Sequence, residues 1–409
     1  MKVEKLDILQ IEWKRGSGLR KSDLNENGKN KCILYGELYT KHKSVLIESS
    51  EISRTNKDGK VHSKKGDILV PGTSTAAKKD MLLAREIDED GVILGGDINI
   101  IRPEQGLFAK KYLPYYFETF TAYDQLDRYI TGATGIIHIS NKGLKNLKVP
   151  LPPLSEQQRI VSILDQAFAA IDKAKANAEQ NLQNAKELFE SYLQGVFENG
   201  NGNWEAKCLD ELGTITSSKR IYKSEYVKDG VPFYRTKEIK ELSNGKPITL
   251  ELFISRDRYE EIKKSFGVPK IGDLLMSAVG TIGEIMVIEN EDEFYFKDGN
   301  IVWFKDFKRL DTNYLKYALT AFVEKIKSLA IGAAYSALTI EKLNKYEIAF
   351  PKTKEEQQTI VRQLDALRAE TQKLEAVYQK KIDDLEELKK SILQKAFAGE
   401  LETEKAVVV

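Results

Sequence analysis

Cysteine is nearly missing from this 409-residue sequence: Cys32 and Cys208 are the only two, far apart and outside any CxxC spacing. That count excludes a disulfide framework and a thiolate metal knuckle, and free thiols in a cytoplasmic protein are the expectation. Histidine is as scarce. His42, His62 and His138 stand without metal-ligand spacing, so each reads as structural. No apolar run approaches the roughly 18–20 residues of a membrane span. The opening "MKVEKLDILQIEW" also has no secretory core, so no membrane association is expected. Net charge is lacking too: 63 Lys and Arg against 62 Asp and Glu give +1, and bulk charge carries no polyanion signature.

Catalytic motifs are equally absent. There is no phosphate loop of the GxxxxGKS or GxxxxGKT kind, no GxSxG elbow and no HExxH. "GTIGEIM" from Gly280 lacks the lysine a phosphate loop needs. "LPPL" from Leu151 lacks both the leading Asn or Asp and the aromatic of the amino-methyltransferase motif. No pair of carboxylates is set apart from helix faces or turns. These absences predict a chain that is not an enzyme and that holds no metal and no cofactor itself.

What the sequence does have is a repeat. "LPPLSEQQRIVSILD" from Leu151 returns as "FPKTKEEQQTIVRQLD" from Phe350, with Glu156 matching Glu356. The likeness runs on to "ELFESYLQGVF" from Glu187 and "ELKKSILQKAF" from Glu387. A period this long is duplication of a domain-plus-helix unit, not a solenoid. Prolines ahead of acidic first turns set each helix start, and Gly399 and the "NGNGN" run from Asn199 set the ends. Apolar residues at alternating steps of three and four predict heptad seams through Ile160, Leu164, Ile171 and Leu182 in the first copy. The second seam runs through Ile360, Leu364, Leu374, Ile382 and Leu385. An extra four-step after Ala178 and after Tyr378 reads as a shared stutter, which predicts that the two seams face each other. About 43 helical residues make a rod of roughly 65 Å.

Each helix follows a globular segment, residues 1–150 and about 200–350, and the segments match faintly in order. "KKGDILVPG" from Lys64 corresponds to "KIGDLLMSAVGTIG" from Lys270, and "YLPYYF" from Tyr112 to "YLKYAL" from Tyr314. The expected fold is α+β: two similar globular domains separated by two long helices that pack as an intramolecular antiparallel coiled coil, related by a pseudo-twofold repeat. Loops that pair basic with small polar residues recur in both segments. The first segment offers Lys14, Arg15, Ser17, Arg20 and Lys21, then Thr73, Ser74, Thr75, Lys78 and Lys79. The second offers Ser217, Ser218, Lys219, Arg220, Tyr222 and Lys223, then Tyr234, Arg235, Thr236 and Lys237. Lys and Arg neutralise phosphates, and Arg, Ser, Thr and Tyr can hydrogen-bond base edges, so these are candidate contacts to double-stranded DNA.

The layout resembles the specificity (S) subunit of type I restriction–modification systems over essentially the whole chain. The resemblance rests on "PLPPLSEQQRIVSILD", its partner "FPKTKEEQQTIVRQLD", the terminal "LKKSILQKAFAGEL" and the "GDLL" and "YRTKEI" segments. It implies target-recognition domains at 1–150 and 200–350, conserved helical spacers at 151–199 and 351–400, and a tail at 401–409. Each domain would read one half of a bipartite, asymmetric site, while the helices dock two methyltransferase (M) subunits. It further implies that S-adenosylmethionine belongs to M, that ATP and magnesium belong to the restriction (R) subunits, and that R joins through the complex. The competing reading is a non-catalytic coiled-coil scaffold for protein–protein interaction, for which the near-neutral charge is the argument.

Overall fold

The computed structural model describes residues 2–75, 78–132, 135–198, 203–329 and 338–401. The chain divides into two compact units, Met1–Glu179 with Gln379–Val409, and Gln180–Tyr378. Two helices of 45 residues each, α1 (Leu154–Glu198) and α2 (Lys354–Ala398), contribute one half to each unit.

In the first unit a five-stranded sheet runs Ile11–Arg15, Ile98–Pro103, Asp67–Pro71, Arg85–Ile87, Leu46–Ile47, antiparallel except for the last pair. The strand Asp67–Pro71 is buried along its whole length, as expected of an apolar run covered on both faces. Alternate residues serve opposite cores. Ile68, Val70 and Ile101 join a cluster with Tyr112, Leu113 and Leu164, whereas Leu69, Ile98 and Ile100 join another with Ile33 and Ile87.

The second unit repeats the central order: Thr214–Thr216, Ile301–Lys305, Leu274–Ser277, Ile285–Val287, all antiparallel. Leu274, Met276, Val302 and Phe304 face the core of Tyr314 and Leu315, while Leu275, Ile301 and Trp303 face away. The Gly-Asp turns that open the matching strands share one geometry. Gly66 and Gly272 take φ of 88° and 90°, a region that admits glycine without steric cost. The Asp67 and Asp273 carboxylates accept the backbone N–H of Lys64 and Lys270 at 2.8 and 2.9 Å.

The Glu-Gln-Gln starts are explained by their middle residue. Gln157 and Gln357 are buried. Gln157 Oε1 accepts the N–H of Ala109 at 2.9 Å, and its Nε2 donates to the carbonyls of Pro152 at 3.0 Å and Leu107 at 3.3 Å. Gln357 accepts from Asp311 at 2.7 Å and donates to Pro351 at 2.9 Å and Arg309 at 3.2 Å. One amide thus satisfies three backbone groups that the bend from strand to helix leaves buried, where an unpaired group costs ~1–3 kcal/mol. Tyrosines complete the joint. Tyr112 and Tyr314 donate to Pro150 O and Ala349 O, and Tyr115 and Tyr317 donate to Asp165 and Asp365, each at 2.6 Å. Burial, then the neighbouring carboxylate, pushes both of these last phenols well above the ordinary tyrosine range.

Within each unit the helix halves pack antiparallel. In the first, Leu164 near the start of α1 shares a core with Leu393, Ala396 and Phe397 near the end of α2. In the second, Phe189 and Leu193 near the end of α1 pack with Leu364 near the start of α2. Of the expected seam, Ile160, Leu164, Ile171, Leu364 and Ile382 are buried, and Leu182, Ile360 and Leu385 half-buried. Leu374 is a correction: it is 42% exposed, and Leu388 is 47% exposed. The half-buried residues Arg368, Glu375 and Lys389 occupy the packing face instead. The face continues Thr371, Glu375, Tyr378, Ile382, Leu385, Lys389 in regular heptad steps, so the expected stutter after Tyr378 is absent. Long basic side chains can cover such a seam with their methylene stems.

Candidate nucleic-acid interface

In the first unit both candidate loops are tied to the turn that precedes Ile98–Pro103, and in the second the first loop is tied to the turn that precedes Ile301–Lys305. In the first, that turn carries Asp97, at φ 61°. The Arg15 guanidinium pairs with its carboxylate at 2.5 Å, and the N–H of Gly72 donates to its carbonyl at 2.6 Å. The loop holding Lys14, Arg15 and Ser17 and the loop beginning at Gly72 are therefore fastened to one residue. Behind the first lies a cavity of about 480 Å³ lined by Arg20, Lys21, Tyr35, Gly96 and Asp97 among others. Arg15, Arg20 and Lys21 are exposed, and Lys14 and Ser17 half-buried.

The loop after Gly72 departs from the expectation. Thr73 and Ser74 are buried in a short strand, where the Thr73 hydroxyl meets His138 Nδ1 at 3.0 Å. Both residues are buried, so neither offers an exposed hydroxyl for contact. Thr75 is exposed, and Lys78 is exposed and paired with Asp127 at 3.0 Å. The side chain of Lys79 lies outside those described.

The second unit fastens its first loop to residues 295–301. Arg220 pairs with Asp298 at 2.7 Å, and the hydrogen bond to that carboxylate raises the guanidinium's pKa above its ordinary value. The N–H of Lys219 donates to the Tyr295 hydroxyl at 2.6 Å, and the Ser217 hydroxyl donates to Ile301 O and accepts from Gly299 N–H, both at 3.2 Å. Ser218 is half-buried; Lys223 and Tyr222 are exposed, the latter by 62%. Tyr234 stacks on Phe294 at 4.5 Å. Arg235 is half-buried and spent locally, on Glu238 at 2.6 Å and Glu251 at 2.7 Å, and Lys237 pairs with Glu251. Thr236 opens the helix Thr236–Ser243. The second loop of this unit is a helix start held by its own ion pairs.

Asp97 and Asp298 are the residues that loop composition missed. A search for basic residues passes over a carboxylate, although "GGDINI" and "KDGNIVW" show an acidic turn before a strand in both copies. An Arg held on a carboxylate is oriented in advance for bidentate recognition of a guanine edge. Among the described residues no group of three or more His, Cys, Asp and Glu is placed to hold a metal ion. Among them, too, no helix is long and apolar enough to cross a membrane.

Comparison with known proteins identifies the family. The model of the type I restriction modification DNA specificity domain matches residues 1–182 and again 201–386. A putative type I restriction enzyme specificity subunit of Haemophilus influenzae is 30% identical over 222 residues, which is 53% of this chain and 55% of that protein. The EcoBI specificity subunit of Escherichia coli is 23% identical over 405 residues, 87% of this chain and 82% of the other. A chain solved in work on assembly and conformational transition of the type I R-M system has a TM-score of 0.74 at 19% identity, covering 96% of this chain and 98% of its own. The HsdS subunit of Thermoanaerobacter tengcongensis gives 0.57 at 18% identity, with 96% and 97% covered. With two copies of the domain matched across nearly its full length, the chain belongs to the type I restriction modification DNA specificity family.

Proposed function

We propose that this chain is the DNA-recognition subunit of a type I restriction–modification complex. Each globular domain reads one half of a bipartite, asymmetric site in double-stranded DNA. The long helices act as the spacer and dock two methyltransferase subunits, through which the restriction subunits join. The chain itself is not catalytic: S-adenosylmethionine is bound by the methyltransferase subunits, and ATP with magnesium by the restriction subunits. The observation that supports this most is the pairing of like with unlike. The two joints repeat their hydrogen bonds residue for residue, while the loops fastened at Asp97 and Asp298 carry different side chains. Two different surfaces on one repeated frame suit a site with two different halves. The scaffold reading accounts for the helices but leaves the recurring Arg–Asp rims unexplained.

The test is to express the chain with its methyltransferase partner and map modified bases genome-wide by single-molecule sequencing. A split motif with a fixed spacer is expected, and exchanging residues 201–350 for those of another family member should alter one half alone. Modification without a defined motif, or a change in both halves, overturns the reading.

A further inference from the structure

The offset of 200 that aligns the helix starts also aligns the packing faces: Phe168 with Arg368, Lys175 with Glu375, Lys186 with Glu386, and Phe189 with Lys389. In the first unit Lys389 Nζ lies 4.9 Å from the centre of the Phe168 ring and 2.9 Å from Asp172, and Lys175 Nζ lies 2.5 Å from Glu386. In the second unit the Arg368 guanidinium lies 4.8 Å from the centre of the Phe189 ring, with Glu375 3.9 Å from Arg368. The cation–π contact is therefore kept in both units while its sources are not exchanged. The ring comes from α1 and the cation from α2 each time.

Exact symmetry would have put ring and cation on both helices, and the departure has a consequence for partner choice. Were α1 to pair antiparallel with a second α1, Phe168 would meet Phe189 and Lys175 would meet Lys186. Were α2 to pair with a second α2, Arg368 would meet Lys389 and Glu375 would meet Glu386. Both cation–π contacts are lost in each case, and the charged positions become like-charge contacts. The ring–ring contact offsets part of this for α1 with α1, so rejection there rests on the lysines. The apolar seam discriminates less, since Leu164 and Leu364, or Leu193 and Leu393, are the same residue in both helices. We propose that positions 168, 175, 186 and 189, with 368, 375, 386 and 389, form a pairing code by which each long helix accepts the other and rejects a second copy of itself. Charged residues that set the partner at the cost of some seam hydrophobicity are a known use of such positions in coiled coils.

The test uses full-length chains. Lys175→Glu alone should lower the thermal midpoint by about 2 °C; adding Glu386→Lys should restore it. Next, K175E/K186E protein is unfolded and refolded together with E375K/E386K protein, and the products are weighed by native mass spectrometry. Mixed dimers are expected, because the acidic α1 of one chain now meets the lysines of the other's α1; two mass-labelled wild-type copies treated alike should stay unmixed. No rescue by the double variant, no mixed dimers from the reversed chains, or mixing of the wild-type copies each overturns the proposal.

Discussion

The joints of the two units and their main sheets have diverged to different degrees. At the joints, Gln157 and Gln357, Tyr112 and Tyr314, and Asp165 and Asp365 make the same bonds to equivalent partners. Phe397 and Phe197 close them in the same way, 5.1 Å from Tyr112 and 5.3 Å from Tyr314. At the Gly-Asp turns and the strands beside them the chemistry parts. Asp67 is held by a two-point ion pair with Arg102 at 2.6 and 2.7 Å. Its counterpart Asp273 has the neutral indole of Trp303, at 2.9 Å, in place of the arginine, and burial raises that carboxyl's pKa above its ordinary value. A joint must satisfy the same orphaned backbone groups in both copies, so its residues are held in place; a sheet needs only a filled core.

The largest effect that can break this equivalence lies in the seam. Leu164→Asp and Leu364→Asp should each cost ~4 kcal/mol by leaving a charge among apolar side chains, whereas Leu374→Asp should stay within ~0.5 kcal/mol at its exposed position. Chemical denaturation of the three variants measures this, and a large loss at Leu374 refutes the packing face described above. Next in size, Gln157→Leu and Gln357→Leu should each cost about 2–3 kcal/mol through stranded backbone groups. Clearly unequal losses would show that the two joints are not energetically alike.

At the rims, Arg15→Ala and Arg220→Ala should each weaken binding of the assembled complex to its DNA about tenfold. Gel shifts against targets altered in one half should show each substitution relaxing only its own half. The smallest effect separates the units by pH. All three histidines lie in the first unit. Burial lowers the pKa of His42, so the folded state stays neutral where the unfolded chain takes up a proton. No penalty exists above the ordinary value of about 6.5, and it grows as pH falls from there toward the lowered folded value. Between pH 7.5 and 5.5 the wild-type thermal midpoint should therefore fall further than that of His42→Gln. Parallel slopes would remove His42 from the account.

Much of the frame was legible in sequence because it is written twice. The repeated Glu-Gln-Gln fixed both helix starts, the Gly-Asp turns located the matching strands, and "YLPYYF" and "YLKYAL" marked the helices whose tyrosines complete the joints. The packing face was legible only to within a step. Neighbouring helical residues stand about 100° apart, so Leu374 and Glu375 are both near the seam and hydrophobicity favours the wrong one. The candidate loops were half legible: composition picked out Arg15 and Arg220, which are exposed and held on carboxylates, but also Thr73 and Ser74, which are buried.

By itself, then, the sequence determined the duplication, the helix limits and the family, since local capping and periodic patterning depend on nearby residues alone. Tertiary structure decided which face of each helix is covered, which loop residues stay in solvent, and that Arg15 and Arg220 are held on Asp97 and Asp298. Those outcomes depend on partners tens to hundreds of residues away, such as Arg15 with Asp97 or Lys389 with Phe168, and no local pattern encodes the distance between them.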